Sequence, residues 1–69
     1  MNGLVGVLTS MVGRTVKMSE DCVVDGVKLA KGLEGVVVDE YMEGSRTMCS
    51  VRFTRWGVVN IPMARLSRK

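Results

Sequence analysis

Arg52, Arg55 and Trp56 lie within one five-residue stretch of a chain that has a single tryptophan. Each brings a definite chemistry. An arginine fork grips a phosphate or a carboxylate with two parallel hydrogen bonds. An indole stacks on a base or fills a pocket on a protein partner. Arg65 follows later in the chain, and Lys17 comes earlier, on a segment that reads as a strand. Together these residues form a candidate binding face for an anionic partner, either nucleic acid or an acidic protein surface. Trp56 is expected at a hairpin tip, where it serves as an exposed contact or as a lid on the core.

Covalent and metal chemistry have less material. The chain has no histidine, and its two cysteines, Cys22 and Cys49, lie far apart. Ser/His/Asp and Cys/His nucleophile systems are therefore excluded within one chain. A zinc site is not expected, because there is no CxxC pair and no His. The cysteines read as small buried hydrophobes in a reduced compartment. All the acids fall between Glu20 and Glu43, and no pattern sets two of them in an apolar pocket. They read as solvated loop residues, or as a surface for a basic partner. No catalytic residue and no cofactor is expected.

Charge is divided along the chain. Residues 1–43 carry four basic and seven acidic side chains, whereas residues 44–69 carry six basic and none acidic. The formal net charge of +3 hides this polarity. A basic C-terminal third attracts phosphates or carboxylates.

A phosphate loop is the other chemistry to weigh. "KGLEGVVVDEY", residues 31–41, places Gly32 and Gly35 three apart. A phosphate cradle leads into a helix whose N-terminus faces the anion. Here the glycines lead into three β-branched valines, and no Lys-Ser/Thr pair follows. The spacing predicts a turn at Gly32 and Gly35 that launches a largely buried strand.

The elements that must hold these residues are short strands. Valine is abundant, and valine favours strands over helices. Thr15 to Met18 reads as a first strand, and Cys22 to Val24 as a short extended piece. Asp25-Gly26 is a tight turn, because glycine takes positive φ without steric cost. Val27 to Ala30 runs back, and Gly35 to Tyr41 follows. Met48 to Thr54 alternates: Cys49, Val51 and Phe53 face one way, and Met48, Ser50, Arg52 and Thr54 the other. "TRWG" is a hairpin turn ending at Gly57, and Val58 to Ile61 is its partner strand. Pro62 stops regular pairing, and "MARL" suits one 3₁₀ turn. Met18, Met42, Met48 and Met63 fill the core or, where exposed, offer an adaptable contact surface.

At 69 residues the chain is one domain with a small core. Five short strands joined by tight turns predict an all-β fold closed as a small five-stranded barrel, because closure removes exposed edges. The order is a long first connection, a three-strand meander, a 3₁₀ turn and a last short strand. That is the SH3-like barrel layout, and an OB-fold is the alternative. Residues 13–69 are expected to form the barrel, and residues 1–12 an apolar N-terminal arm docked on the barrel or on a second subunit. The arm carries no Lys or Arg. It is shorter than the roughly 20 residues of a membrane span, and it lacks the basic start of a signal peptide. No membrane partner is expected, the chain is read as cytoplasmic, and a homo-oligomer is a further expectation.

"GLEGVVVDEY…CSVRF…GVVNIPMARL" resembles small SH3-like bacterial barrels, such as KOW-type modules of ribosome and transcription proteins and small single-barrel regulators. The shared pattern, G-x-x-G-x-V followed by V-x-F and a hairpin, covers residues 13–66. The resemblance implies a small non-catalytic binding or regulatory module. The same composition suits a protein–protein adaptor or an enzyme inhibitor, in which Arg and Trp are frequent contact residues.

A narrower likeness is to the type II plasmid dihydrofolate reductases, short SH3-like chains that form a tetramer with NADPH and dihydrofolate in one central pore. Their pore strand reads Val-Gln-Ile-Tyr before Pro-Val-Ala-Ala-Leu. Val59, Asn60 and Ile61 stand here, directly before Pro62, Met63, Ala64, Arg65 and Leu66. Asn60 takes the place of the Gln, and Lys17 that of a pore lysine. The family's Tyr is absent. Asn60 enters the list of candidate binding residues only through this resemblance.

Overall fold

A computed structural model describes residues 11–69 of the chain. The expected N-terminal arm, residues 1–12, falls outside the described residues except for Met11 and Val12. Seven strands are described: β1 (Thr15–Met18), β2 (Cys22–Val24), β3 (Val27–Leu29), β4 (Glu34–Glu43), β5 (Arg46–Phe53), β6 (Gly57–Pro62) and β7 (Leu66–Arg68). One 3₁₀ turn, Met63–Arg65, precedes β7, in the place that "MARL" and Pro62 predict. The fold is all-β, as expected.

The strand count differs from the expected five. β6, β5, β4, β1 and β7 form one five-stranded sheet in that order, and β2 and β3 form a separate two-stranded hairpin. The sheet's outer strands, β6 and β7, are not hydrogen-bonded to each other, so this hydrogen-bonded sheet is open. The extra strands come from the long connection after β1. There Asp25 and Gly26 both take positive φ, 49° and 79°, and turn β2 tightly into β3.

The core lies on one face of the sheet, beneath the β2–β3 hairpin. Val16 and Met18 of β1, Val37 of β4, Cys49, Val51 and Phe53 of β5, and Val59 and Ile61 of β6 all point into it. Leu29 of β3 is fully buried with them, and Cys22, Val24 and Val27 pack against the same cluster. Backbone bonds tie the hairpin to β1: Gly32 N–H donates to the Met18 carbonyl at 2.8 Å, and Met18 N–H to the Leu33 carbonyl at 2.9 Å. Both cysteines are free thiols, Cys49 buried and Cys22 half-buried.

Three local expectations are corrected. The valine run is not largely buried. Val37 alone points inward, while Val36 and Val38 are 40% and 36% exposed. An antiparallel sheet with one solvated face produces this alternation, and a β-bulge between Val37 and Asp39 adds Val38 as an extra residue. Gly35 is not a turn residue. It lies inside β4, and a Cβ there would stand 2.7 Å from Val51 Cγ1 and 2.8 Å from the Arg52 carbonyl oxygen. Its lack of a side chain lets β5 come close, whereas Gly32, with φ +89°, makes the turn. Finally, β5 is less amphipathic than its alternation suggests, because Met48 and Ser50 are buried too. Tyr41 and Pro62 flank Met48 on the neighbouring strands. Ser50 Oγ donates a 2.7 Å hydrogen bond to Asn60 Oδ1 across the β5–β6 ladder.

Candidate binding face

Register decides which candidate residues share a surface. Residues directly opposite each other on paired strands lie on the same face. Thr15 pairs with Val36, Val36 with Arg52, and Arg52 with Val58. This row crosses β1, β4, β5 and β6 on the side away from the core. Lys17 pairs with Glu34 one row further along, on the same side. Asp39, Ser50 and Asn60 form the row on the other side of Arg52. Lys17, Arg52 and Asn60 therefore occupy one solvent-facing sheet surface.

Distances within that surface are set by the strand spacing of about 4.8 Å. Lys17 on β1 is two strands across and one row along from Arg52, so about 12 Å away. Asn60 on β6 is three strands across and two rows along from Lys17, about 20 Å away. Within one chain Asn60 and Lys17 do not touch the same small group. Asn60 also has a structural task, because its Oδ1 accepts the hydroxyl of buried Ser50.

The β5–β6 turn delivers the next two candidates. Thr54, Arg55 and Trp56 form a three-residue loop between Phe53 and Gly57, which pair as the ends of their strands. Gly57 has φ +76°, the left-handed residue such a loop requires. The Arg55 guanidinium carbon lies 5.6 Å from the centroid of the Trp56 ring, within cation–π range. Trp56 is 43% exposed and stands outside the core cluster, so it is a surface residue rather than a lid on the core.

Arg65 is placed elsewhere. It lies beyond the far end of β6, about 17 Å of strand from the turn. Its guanidinium pairs with Glu20, and its carbonyl accepts the Ser19 N–H at 2.9 Å. Arg65 thus ties the 3₁₀ turn to the end of β1. The second ion pair among the described residues joins Lys69 to Glu34 at 3.2 Å. Arg52 and Arg55 have no carboxylate partner among the described residues.

Two surface features were not identified from the sequence. One is the apolar frame around Arg52, formed by Val36 and Val58, the latter 53% exposed. Strict period-two reading of "GVVVD" and "GVVN" carries that signal. The other is a basic cluster at the β1–β7 edge, where Arg14, Thr15, Arg68 and Lys69 line a cavity of about 520 Å³; Arg68 stands opposite core residue Val16, so the cluster lies off the Arg52 row. The charge bias of the last third points to Arg68 and Lys69, but only the β1–β7 pairing brings Arg14 beside them.

Among the described residues no cluster of three or more His, Cys, Asp or Glu is arranged to hold a metal ion. No described helix is long and apolar enough to cross a membrane. No protein-family model matches the chain, and no curated protein or solved structure matches it.

Proposed function

We propose that the chain is a small SH3-like barrel module that acts by binding, without catalysis, and that its outer sheet face docks on an acidic protein surface. The strand order, the hairpin in the first connection and the 3₁₀ turn before the last strand support the barrel reading. The partner reading rests on one observation. Arg52 stands exposed between two exposed valines, next to the Arg55–Trp56 pair, and neither arginine is neutralised by a neighbouring acid.

That composition suits a protein partner. Protein contact sites combine apolar surface with Trp and Arg anchors. Carboxylates on the partner pair with Arg52 and Arg55, and apolar side chains cover Val36 and Val58. Glu34 and Asp39 on the same surface disfavour a continuous phosphate backbone. The nucleic-acid reading has one specific support, the Arg14, Arg68 and Lys69 cluster at the β1–β7 edge.

Trp56, the only tryptophan, reports on both readings. Its fluorescence is to be followed while a peptide alternating glutamate and leucine, or a single-stranded oligonucleotide, is added. Saturable change with the peptide at about 200 mM salt supports the protein partner. Change with the oligonucleotide alone, lost between about 50 and 200 mM salt, reverses the choice, because counterion release dominates phosphate binding.

A further inference from the structure

β4 carries a second site, on the side opposite to Arg52. Glu40 pairs across the ladder with Cys49, which in turn pairs with Ile61. Both neighbours are fully buried. A carboxylate has therefore been folded in beside a buried thiol. Its Oε2 is buried and has no hydrogen-bond partner. No cation forms an ion pair with Glu40 among the described residues. A partly buried carboxylate without a partner is costly, and a matching positive charge offsets that cost.

Glu40 also lines a cavity of about 350 Å³, together with Tyr41, Met42, Thr47 and Met63. That volume lies within the usual range of small-ligand sites, roughly 300–1,000 Å³. Thr47 Oγ1 is already engaged, donating to Met42 Sδ at 3.3 Å. The remaining lining comes from Tyr41, Met42 and Met63. An anion is repelled by Glu40, and a neutral apolar ligand leaves the carboxylate uncompensated. We propose that this cavity binds a cationic group carried on an apolar stem, an alkylammonium or an arginine-type guanidinium. The head meets the Glu40 carboxylate. The stem lies against Met42 and Met63, whose flexible side chains adapt to it. The Cys49 thiol reports the same electrostatics, since burial first and the Glu40 charge second push its pKa up. The cation comes from a free amine or from a basic side chain of a partner protein. The site does not depend on the outer-face reading.

The test uses the whole chain, ¹⁵N-labelled, titrated with n-butylammonium chloride and separately with N-acetyl-arginine amide, with n-butanol as the uncharged control. The expected result is saturable shifts at the Glu40, Tyr41 and Thr47 amides with at least one cation, no saturation with n-butanol, and affinity about tenfold weaker in Glu40→Gln. Arg52→Ala binds the probes unchanged. Tighter binding of the arginine probe identifies a guanidinium head, and tighter binding of the amine an ammonium head. Should Glu40→Gln fail to fold, Met42→Lys serves instead, because its own ammonium fills the site and abolishes probe binding. Absence of saturation with both cations, equal binding of n-butanol, or undiminished binding in Glu40→Gln or Met42→Lys overturns the proposal.

Discussion

Val51 and Arg52 are neighbours on β5, yet one is fully buried and the other stands in solvent. They stand for the two faces of one sheet. The inner face is apolar and closed over by a hairpin. The outer face sets arginines among exposed valines and has no cover among the described residues. The inner face carries stability, and the outer face has surface to spare for a partner. The comparison predicts that substitutions on the two faces separate into stability effects and binding effects.

The largest effect is expected inside. Phe53→Ala removes the largest fully buried side chain, and large-to-small changes of this kind cost about 3–5 kcal/mol. In a domain this small that is a large share of total stability, and chemical denaturation measures it directly. Gly35→Val is expected to destabilise by about 1–3 kcal/mol or more, because its Cβ falls within 3 Å of Val51, the Arg52 carbonyl and Phe53. An unchanged midpoint for Gly35→Val shows that β4 and β5 do not pack as closely as described.

Outside, Val58→Asp exchanges an exposed apolar contact for a carboxylate beside Arg52. It is expected to leave the denaturation midpoint within about 0.5 kcal/mol while weakening an acidic partner by about tenfold or more. Isothermal titration with the glutamate–leucine peptide reads the second quantity.

A smaller effect follows from Cys49. Its pKa is raised, chiefly by burial, so the folded thiol keeps its proton at a pH where the unfolded one has lost it. The contribution to stability is complete below the ordinary cysteine value and is lost as pH climbs through that value toward the raised one. Cys49→Ala is expected to flatten the fall of stability at alkaline pH. A slope unchanged by that substitution assigns the fall to another group. The smallest effect belongs to Arg65→Ala. Its ion pair with Glu20 is about half exposed, and such pairs are worth roughly 0–1 kcal/mol.

The sequence announced the inner face better than the outer one. Cys49, Val51 and Phe53 alternate with polar residues, so period two marks them as core. The Asp25-Gly26 and Gly57 turns were legible because each needs a left-handed backbone that few residues other than glycine adopt. Gly35 misled, since a glycine before a strand reads as a turn, and its tight packing depends on which residues of β5 lie opposite. The valine run misled for a related reason. Only register shows that Val36 lies beside Arg52 and not beside Val51. Of the candidate residues, Arg52, Arg55 and Trp56 are close in sequence and end close in space. Lys17 and Asn60 join their surface through the ladders, and Arg65 is drawn off by Glu20. The Glu40 cavity had no local signal, because its walls come from β4, β5 and the 3₁₀ turn.

Arg52→Glu tests the division between the two faces most directly. Thermal midpoint and affinity for the glutamate–leucine peptide are to be measured on the same preparation. The predicted result is a midpoint shifted by no more than a few degrees, with peptide binding reduced at least about tenfold. A midpoint that falls in step with binding makes Arg52 a structural residue, and binding that survives the charge reversal removes the outer face as the docking surface.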